Sequence, residues 1–178
     1  VYIEVSRQGG KVSELMNSRP VGEANLTAEE GVEVARTFLA EQGYGEMEPS
    51  YYINQNNILT VNFAARQGEV LCYPDLIKVA VALDNGSIVG FEADGYLMNH
   101  TQRTLETPAV SAEKAQAVLD PALECLSHQL VIIPTSGKYE VLCHEFKCRL
   151  ENGQHYIVYV NAQTGSEEKI LLLIEDES

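Results

Sequence analysis

Cys143, His144, Cys148 and His155 are the residues best suited by type to hold a metal, two thiols and two imidazoles in one short stretch. Their spacing argues against it. In an extended strand, positions 143 and 148 differ by an odd number and leave opposite faces. His144 and Cys148 share a face but are separated by about 13 Å at roughly 3.3 Å per residue. A structural zinc site takes close ligand pairs such as C-x2-C, and the sequence holds none. If Asn152-Gly153 forms a two-residue turn, Cys148 pairs with Ile157 and His155 with Leu150, which reads as core and flank. The four cysteines (Cys72, Cys125, Cys143, Cys148) follow no dense framework; they fit buried thiols, one or two disulfides, or a reduced compartment.

Nucleophilic chemistry has as little to build on. There is no G-x-S-x-G elbow, and no Cys, Ser or His sits in a glycine-rich turn that would expose it. His100, His128, His144 and His155 are scattered, as surface or satisfied core histidines are. Glu29-Glu30 belong to a helix start, while Glu167-Glu168 and Glu175-Asp176-Glu177 read as solvated charge. A glycosidase pair of carboxylates could be assembled only by folding, and with no Trp its sugar cleft would rely on Tyr. Phosphate-binding glycine loops are absent, and neither metal nor cofactor is expected. Asn25, Asn85 and Asn99 match the N-glycosylation pattern, but a helix start at Thr27 and a turn at Asn85 make chance the economical reading.

Bulk composition narrows the partners. The 178 residues suffice for one ordinary domain or two small ones. A net charge of −14 with only 12 basic residues repels phosphate backbones, so nucleic acid is excluded as a natural partner and a basic protein surface is favoured. No apolar run reaches the roughly 18–20 residues that span a bilayer. Val1, Ile3 and Val5 alternate like a half-buried strand, which leads us to expect a fragment whose N-terminal part, with any targeting or membrane segment, lies upstream.

The elements that would position any site repeat along the chain. "VYIEVSRQGGKVSELM" (1–16), "IKVAVALDNGSIVGFE" (77–92) and "YIVYVNAQTGSEEKIL" (156–171) each read strand, glycine turn, strand, with Gly10, Gly86 and Gly165 spaced by 76 and 79 residues. Two helix starts recur, "LTAEEG" (26–31) and "VSAEKA" (110–115), with Thr27 and Ser111 separated by 84. Thr27 and Glu30 fit a capping box; Gly31, Val34, Ala35, Phe38, Leu39 and Gln42 form one stripe, and Gly43 and Gly45 supply the stop. The second helix is shorter, with Ala115, Val118 and Leu119 on its apolar side and Pro121 ending it. "ILTVNFAAR" (58–66) alternates Leu59, Val61, Phe63 and Ala65 against polar and small residues, and "YEVLCHEFKCRL" (139–150) is its counterpart. Asn-Gly at 85–86 and 152–153 suggests type I′ hairpin turns. The expected fold is α+β: tandem repeats, each with one helix on an antiparallel sheet, preceded by an orphan hairpin. The expected divisions are 1–22, 23–103 and 104–178, with the boundary inside "NHTQRTLETPAVS" (99–111).

Surface is then the remaining place for function. Tyr51-Tyr52, Tyr73-Pro74-Asp75 and Tyr96-Leu97-Met98-Asn99-His100 flank sheet elements and combine aromatic area with polar tips, as protein contact surfaces do. Equally simple is a structural role, with Leu97 and Met98 closing the end of the sheet. Tyr73, Pro74, Asp75, Tyr96, Leu97, Met98, Asn99 and His100 are the candidate contact residues, because their flanks have no echo in the other repeats.

The unit from "LTAEEGVEVARTFL" to "IKVAVALDNGSIVGFEA" resembles a PepSY domain. "GGKVSELMNSRPV", "YPDLIKVAVALDNGSIVGFEADGYLMNH" and "YEVLCHEFKCRL" with "YIVYVNAQTGSEEKI" closely resemble, in colinear order, the C-terminal region of YpeB-type spore germination proteins. The pair Cys143 and Cys148 and the shortened helix after Ser111 match no family role. The resemblance implies an extracytoplasmic spore-envelope protein, membrane-anchored through an N-terminal segment outside this sequence. It implies no catalytic residues. It also implies a partner, a SleB-type cortex-lytic enzyme or another cell-wall hydrolase, which the protein stabilises or restrains. PepSY domains of metallopeptidase propeptides suggest the alternative, a peptidase-inhibitor module.

Overall fold

A computed structural model describes residues 1–44, 46–137 and 139–173. The capping box at the first helix forms: Thr27 Oγ1 accepts from the Glu30 amide at 3.2 Å, and Glu30 Oε2 accepts from the Thr27 amide at 2.8 Å. From that start α1 (Ala28–Glu41) buries Gly31, Ala35 and Leu39, with Val34 and Phe38 packed more loosely. Gln42, assigned by spacing to the same stripe, is exposed and serves as the C-cap. Gly43 follows at a φ of 75°; Gly45, the other expected stop residue, lies outside the described residues, as do Glu175, Asp176 and Glu177.

The chain divides into two compact units, 1–67 with 72–101, and 68–71 with 102–178. In the first, β1 (Tyr2–Val5), β2 (Val12–Met16), β3 (Met47–Gln55), β4 (Ile58–Gln67), β5 (Val70–Ala82) and β6 (Ile88–Glu92) pair in the order β1-β2-β6-β5-β4-β3. Leu59, Val61, Phe63 and Ala65 of β4 all face the core with Ile77, Val79 and Val81 of β5, as the alternation requires. A short helix, α2 (Asp94–Asn99), follows β6. In the second unit, α3 (Ala112–Gln116) precedes β7 (Glu124–Pro134), β8 (Glu140–Arg149), β9 (His155–Asn161) and β10 (Glu167–Leu173), which pair in that order. Ala115 and Leu119 bury against Phe146, Val158 and Val160, whereas Val118, expected on the apolar side, is exposed because the helix ends at Gln116.

The two repeats close in the same way. At 82–87 the Ala82 amide donates to Ser87 O and the Gly86 amide to Ala82 O; at 161–166 the Asn161 amide donates to Ser166 O and the Gly165 amide to Asn161 O. Gly86 and Gly165 both take φ near 75° (75° and 76°), which a side chain would resist. Each turn then accepts the residue before its helix cap: the Leu26 amide donates to Leu83 O, and the Val110 amide to Ala162 O. The turn glycines pack against the same residues, Leu26 and Val110.

Three expectations are corrected. The turns at Asn85-Gly86 and Asn152-Gly153 are not type I′, since neither Asn has positive φ. At the second, the Leu150 amide donates to Gln154 O, leaving a three-residue loop that ends in Gly153 at φ 86°. The register moves by one: Cys148 faces Tyr156, and His155 faces Arg149, not Leu150. Positive φ at both central residues of a two-residue turn occurs instead at Asn56 and Asn57 (53° and 60°), joining β3 to β4. β1 forms as a strand, but all four of its residues are exposed, since its hydrogen-bonded neighbour is β2 and the core lies further inward.

Candidate functional site

The two flanks singled out in the sequence meet. Tyr73, Pro74 and Asp75 lie inside β5, not beside it, and Tyr96 to Asn99 form most of α2, which the sequence did not signal. Asn99 Nδ2 donates to Pro74 O at 3.1 Å and to Gly95 O at 2.9 Å. His100 Nδ1 stands 2.8 Å from Asp75 Oδ2. What permits this approach is Gly95: a Cβ there would lie 2.9 Å from Leu76 O and 3.3 Å from Pro74 O. Helix α2 has no side-chain N-cap bond; its side-chain bonds to β5 come from its C-terminal end, through Asn99 and His100.

Burial sorts the eight residues. Asp75 is fully buried, so its carboxylate works inside the protein. Tyr96 and Leu97 pack on the core cluster. Burial, and after it the Asp75 charge, raises the Tyr96 phenol above its ordinary value. Met98, at 84% exposure, Asn99 and the outer part of the His100 ring face solvent, with Tyr73 and Pro74 half-buried beside them. His100 stacks on Tyr96 with centroids 4.2 Å apart. From Tyr96 an aromatic series runs inward through Tyr44 (5.1 Å) and Phe91 (5.8 Å) to Phe38 (5.4 Å).

Phe38 also floors a feature that sequence reasoning missed. Val34, Phe38 and Ile88 line an open groove of about 610 Å³ beside α1, rimmed by Glu29, Glu30, Glu33 and Glu41. Such a groove, apolar below and anionic above, suits a segment that carries apolar anchors among basic residues. The signal is present in the alternation of Glu with Val and Phe along α1, but the spacing assigns Glu29-Glu30 to the helix start and Val34 and Phe38 to the stripe that faces the sheet.

The residues best suited to metal binding are dispersed. Cys143 faces Val131 and Asn161 across the sheet, Cys148 faces Cys125 and Tyr156, and His155 faces Arg149. His144 is buried and bonded: its Nε2 meets Val110 O at 2.7 Å and its Nδ1 meets His128 Nε2 at 2.8 Å. A carbonyl only accepts, so Nε2 of His144 carries the proton, and His128 donates to Nδ1. Burial, then the neighbouring His144, holds the His128 imidazole below its ordinary value. The possible glycosylation asparagines are exposed but bonded within the chain, Asn25 and Asn99 as donors to Asp84 O and Pro74 O, and Asn85 as an acceptor from the Ser87 amide. Among the described residues, no helix is long and apolar enough to cross a membrane.

A helix on an antiparallel sheet, with its hairpin turn tied to the residue before the helix and the whole built twice, defines a tandem PepSY-repeat protein. The family model that matches residues 1–106 is described as YpeB sporulation, PepSY1 and PepSY2 domains. The chain belongs to this YpeB family. It is 36% identical over 176 residues to the sporulation protein YpeB of Halalkalibacterium halodurans, covering 99% of this chain and 39% of the relative. It is 30% identical to that of Bacillus subtilis, covering 96% and 38%. The Bacillus megaterium YpeB C-terminal domain superposes with a TM-score of 0.89 at 27% identity, over 98% of this chain and 77% of that one. The chain thus spans about two-fifths of the length of these curated relatives.

Proposed function

We propose that this chain is a non-catalytic part of a spore germination protein that binds a cortex-lytic, peptidoglycan-degrading enzyme of the SleB type and stabilises or restrains it. The observation that carries the reading is membership of the YpeB sporulation family along the matched residues 1–106. The setting is the extracytoplasmic spore envelope, with membrane attachment through a segment outside this sequence. Two surfaces of the first unit fit a protein partner: the Met98–His100 end of α2 beside Tyr73, and the acidic groove beside α1. With a net charge of −14, the complementary partner presents basic patches around apolar anchors.

Titration of the folded chain against the cortex-lytic enzyme at low and moderate salt tests this. Binding that weakens with salt, and weakens further in Met98→Asp or in the doubly substituted Glu33→Lys, Glu41→Lys chain, is the expected result. Absence of a complex at either salt concentration counts against direct binding. Inhibition of a metallopeptidase in place of that binding would transfer the reading to a propeptide-like inhibitor.

A further inference from the structure

Cys125 and Cys148 stand directly opposite one another on β7 and β8, with their sulfurs 3.6 Å apart. Opposed residues of an antiparallel pair have Cα atoms about 4.5–5.5 Å apart, inside the range of roughly 4.4–6.8 Å that a disulfide spans. A sulfur shift of about 1.5 Å, within reach of side-chain rotation, would bring the pair to bonding distance. The strand pairing beside the two cysteines is tied on one side. Glu124 and Arg149, the next opposed pair, are joined by an ion pair at 2.7 Å. Cys148 is fully buried beside Phe146 and Val158, while Cys125 keeps an exposed edge, next to a bulge between Cys125 and Ser127. Cys125 is thus the partly exposed member of the pair and Cys148 the buried one. The other two cysteines, Cys72 and Cys143, are buried.

We propose that Cys125 and Cys148 form a site of oxidative modification, closed to a cross-strand disulfide by exchange with a small disulfide such as oxidised glutathione. The Cys125 thiolate attacks one glutathione sulfur, forming a mixed disulfide and releasing one glutathione thiolate. The Cys148 thiolate then attacks Cys125 Sγ, forming the protein disulfide and releasing the second. The protein loses two electrons and two protons; the glutathione disulfide gains the electrons, and its thiolates take up the protons. Burial, and after it the Cys125 contact, raises the Cys148 thiol above its ordinary value, so the second displacement, which needs the Cys148 thiolate, speeds up as pH rises.

The test incubates the folded chain with oxidised glutathione, quenches in acid, alkylates under denaturing conditions and maps the peptides by mass. The expected product has lost two hydrogens, retains two alkylatable thiols, Cys72 and Cys143, and yields one crosslinked peptide pair containing Cys125 and Cys148. Cys148→Ser should stop at a single glutathione on Cys125. Because Cys125 is partly exposed, Cys125→Ser remains folded and should acquire neither modification there. The oxidised chain should also unfold at a temperature several degrees higher, a shift that dithiothreitol reverses and Cys125→Ser lacks. Four alkylatable thiols after prolonged oxidation, a disulfide that uses Cys72 or Cys143, or a mixed disulfide at Cys125 that never resolves in the unsubstituted chain would each overturn the proposal.

Discussion

Gly95→Ala places a methyl where α2 crosses β5 with no room to receive it. The new Cβ would sit 2.9 Å from Leu76 O, 3.3 Å from Pro74 O and 3.4 Å from Leu76 N. All three are backbone atoms, so no neighbouring side chain can swing aside. Ordinary contact requires α2 to lift by about 0.5 Å. The same lift stretches the bond from Asn99 to Pro74 O, now 3.1 Å, to about 3.6 Å, where it no longer counts as a hydrogen bond. It also draws His100 away from the buried Asp75 carboxylate. Overpacking costs about 1–3 kcal/mol and the lost bond about 1 kcal/mol, against a helix-propensity gain of about 1 kcal/mol. The net expectation is a loss of about 1–3 kcal/mol. Urea unfolding followed by circular dichroism should show a lower midpoint with unchanged slope. Met98→Ala, on the exposed side of the same helix, should stay within about 0.5 kcal/mol of the parent. A Gly95→Ala chain as stable as the parent, or more so, would show that helix propensity acts unopposed and that α2 is not seated on β5.

Other outcomes follow from the same contacts. Arg19 grips the 82–87 turn through Asp84 at 2.6 and 2.8 Å, and this guanidinium, followed by the Gly22 amide, holds the Asp84 carboxyl well below the usual carboxylate range. Its stabilising contribution is therefore present above about pH 4 and lost as pH falls below it; Arg19→Gln should flatten that part of the stability–pH curve. For His128 the folded chain favours the neutral ring, so stability is full above about pH 6.5 and falls on acidification below it, and His128→Gln should remove that slope in thermal melts. Phe146→Ala, emptying the centre of the second unit's core, should cost about 3–5 kcal/mol in urea unfolding. Thr27→Ala, which opens the capping box of α1, should cost about 1 kcal/mol in the same assay.

The features legible in the sequence are those written locally. The box at Thr27 and Glu30, the alternation of β4 and the spaced turn glycines each need only a few neighbouring residues to specify them. Helix α2 was not legible because its six residues carry no cap and no stripe; what holds it is the clearance at Gly95 and the bonds to Pro74 and Asp75. The candidate residues read in the sequence as two separate flanks, since only the pairing of β5 with β6 brings them to one end. Strand β3 escaped notice because its outer half is exposed on both faces and shows no alternation. Asn56-Asn57 takes the turn geometry expected of Asn-Gly, because Asn enters the left-handed region more readily than most residues that carry a side chain. At Asn152-Gly153 the dipeptide was read correctly as a turn, but a third loop residue shifted every partner by one.

The ties between hairpin turn and helix start bear on how long each repeat, once folded, stays so. The bonds from Leu26 to Leu83 and from Val110 to Ala162 join points far apart in the chain, whereas the hairpins that carry the turns are local. Local hairpins close within about 1–10 μs, and distant closures come later because they cost more loop entropy. Each turn would then exist before its helix arrives, and docking at Leu26 or Val110 would fall after the rate-limiting barrier. Substitutions at those two positions should accordingly accelerate unfolding and leave the refolding rate nearly unchanged, so that the ties govern how long a folded repeat persists.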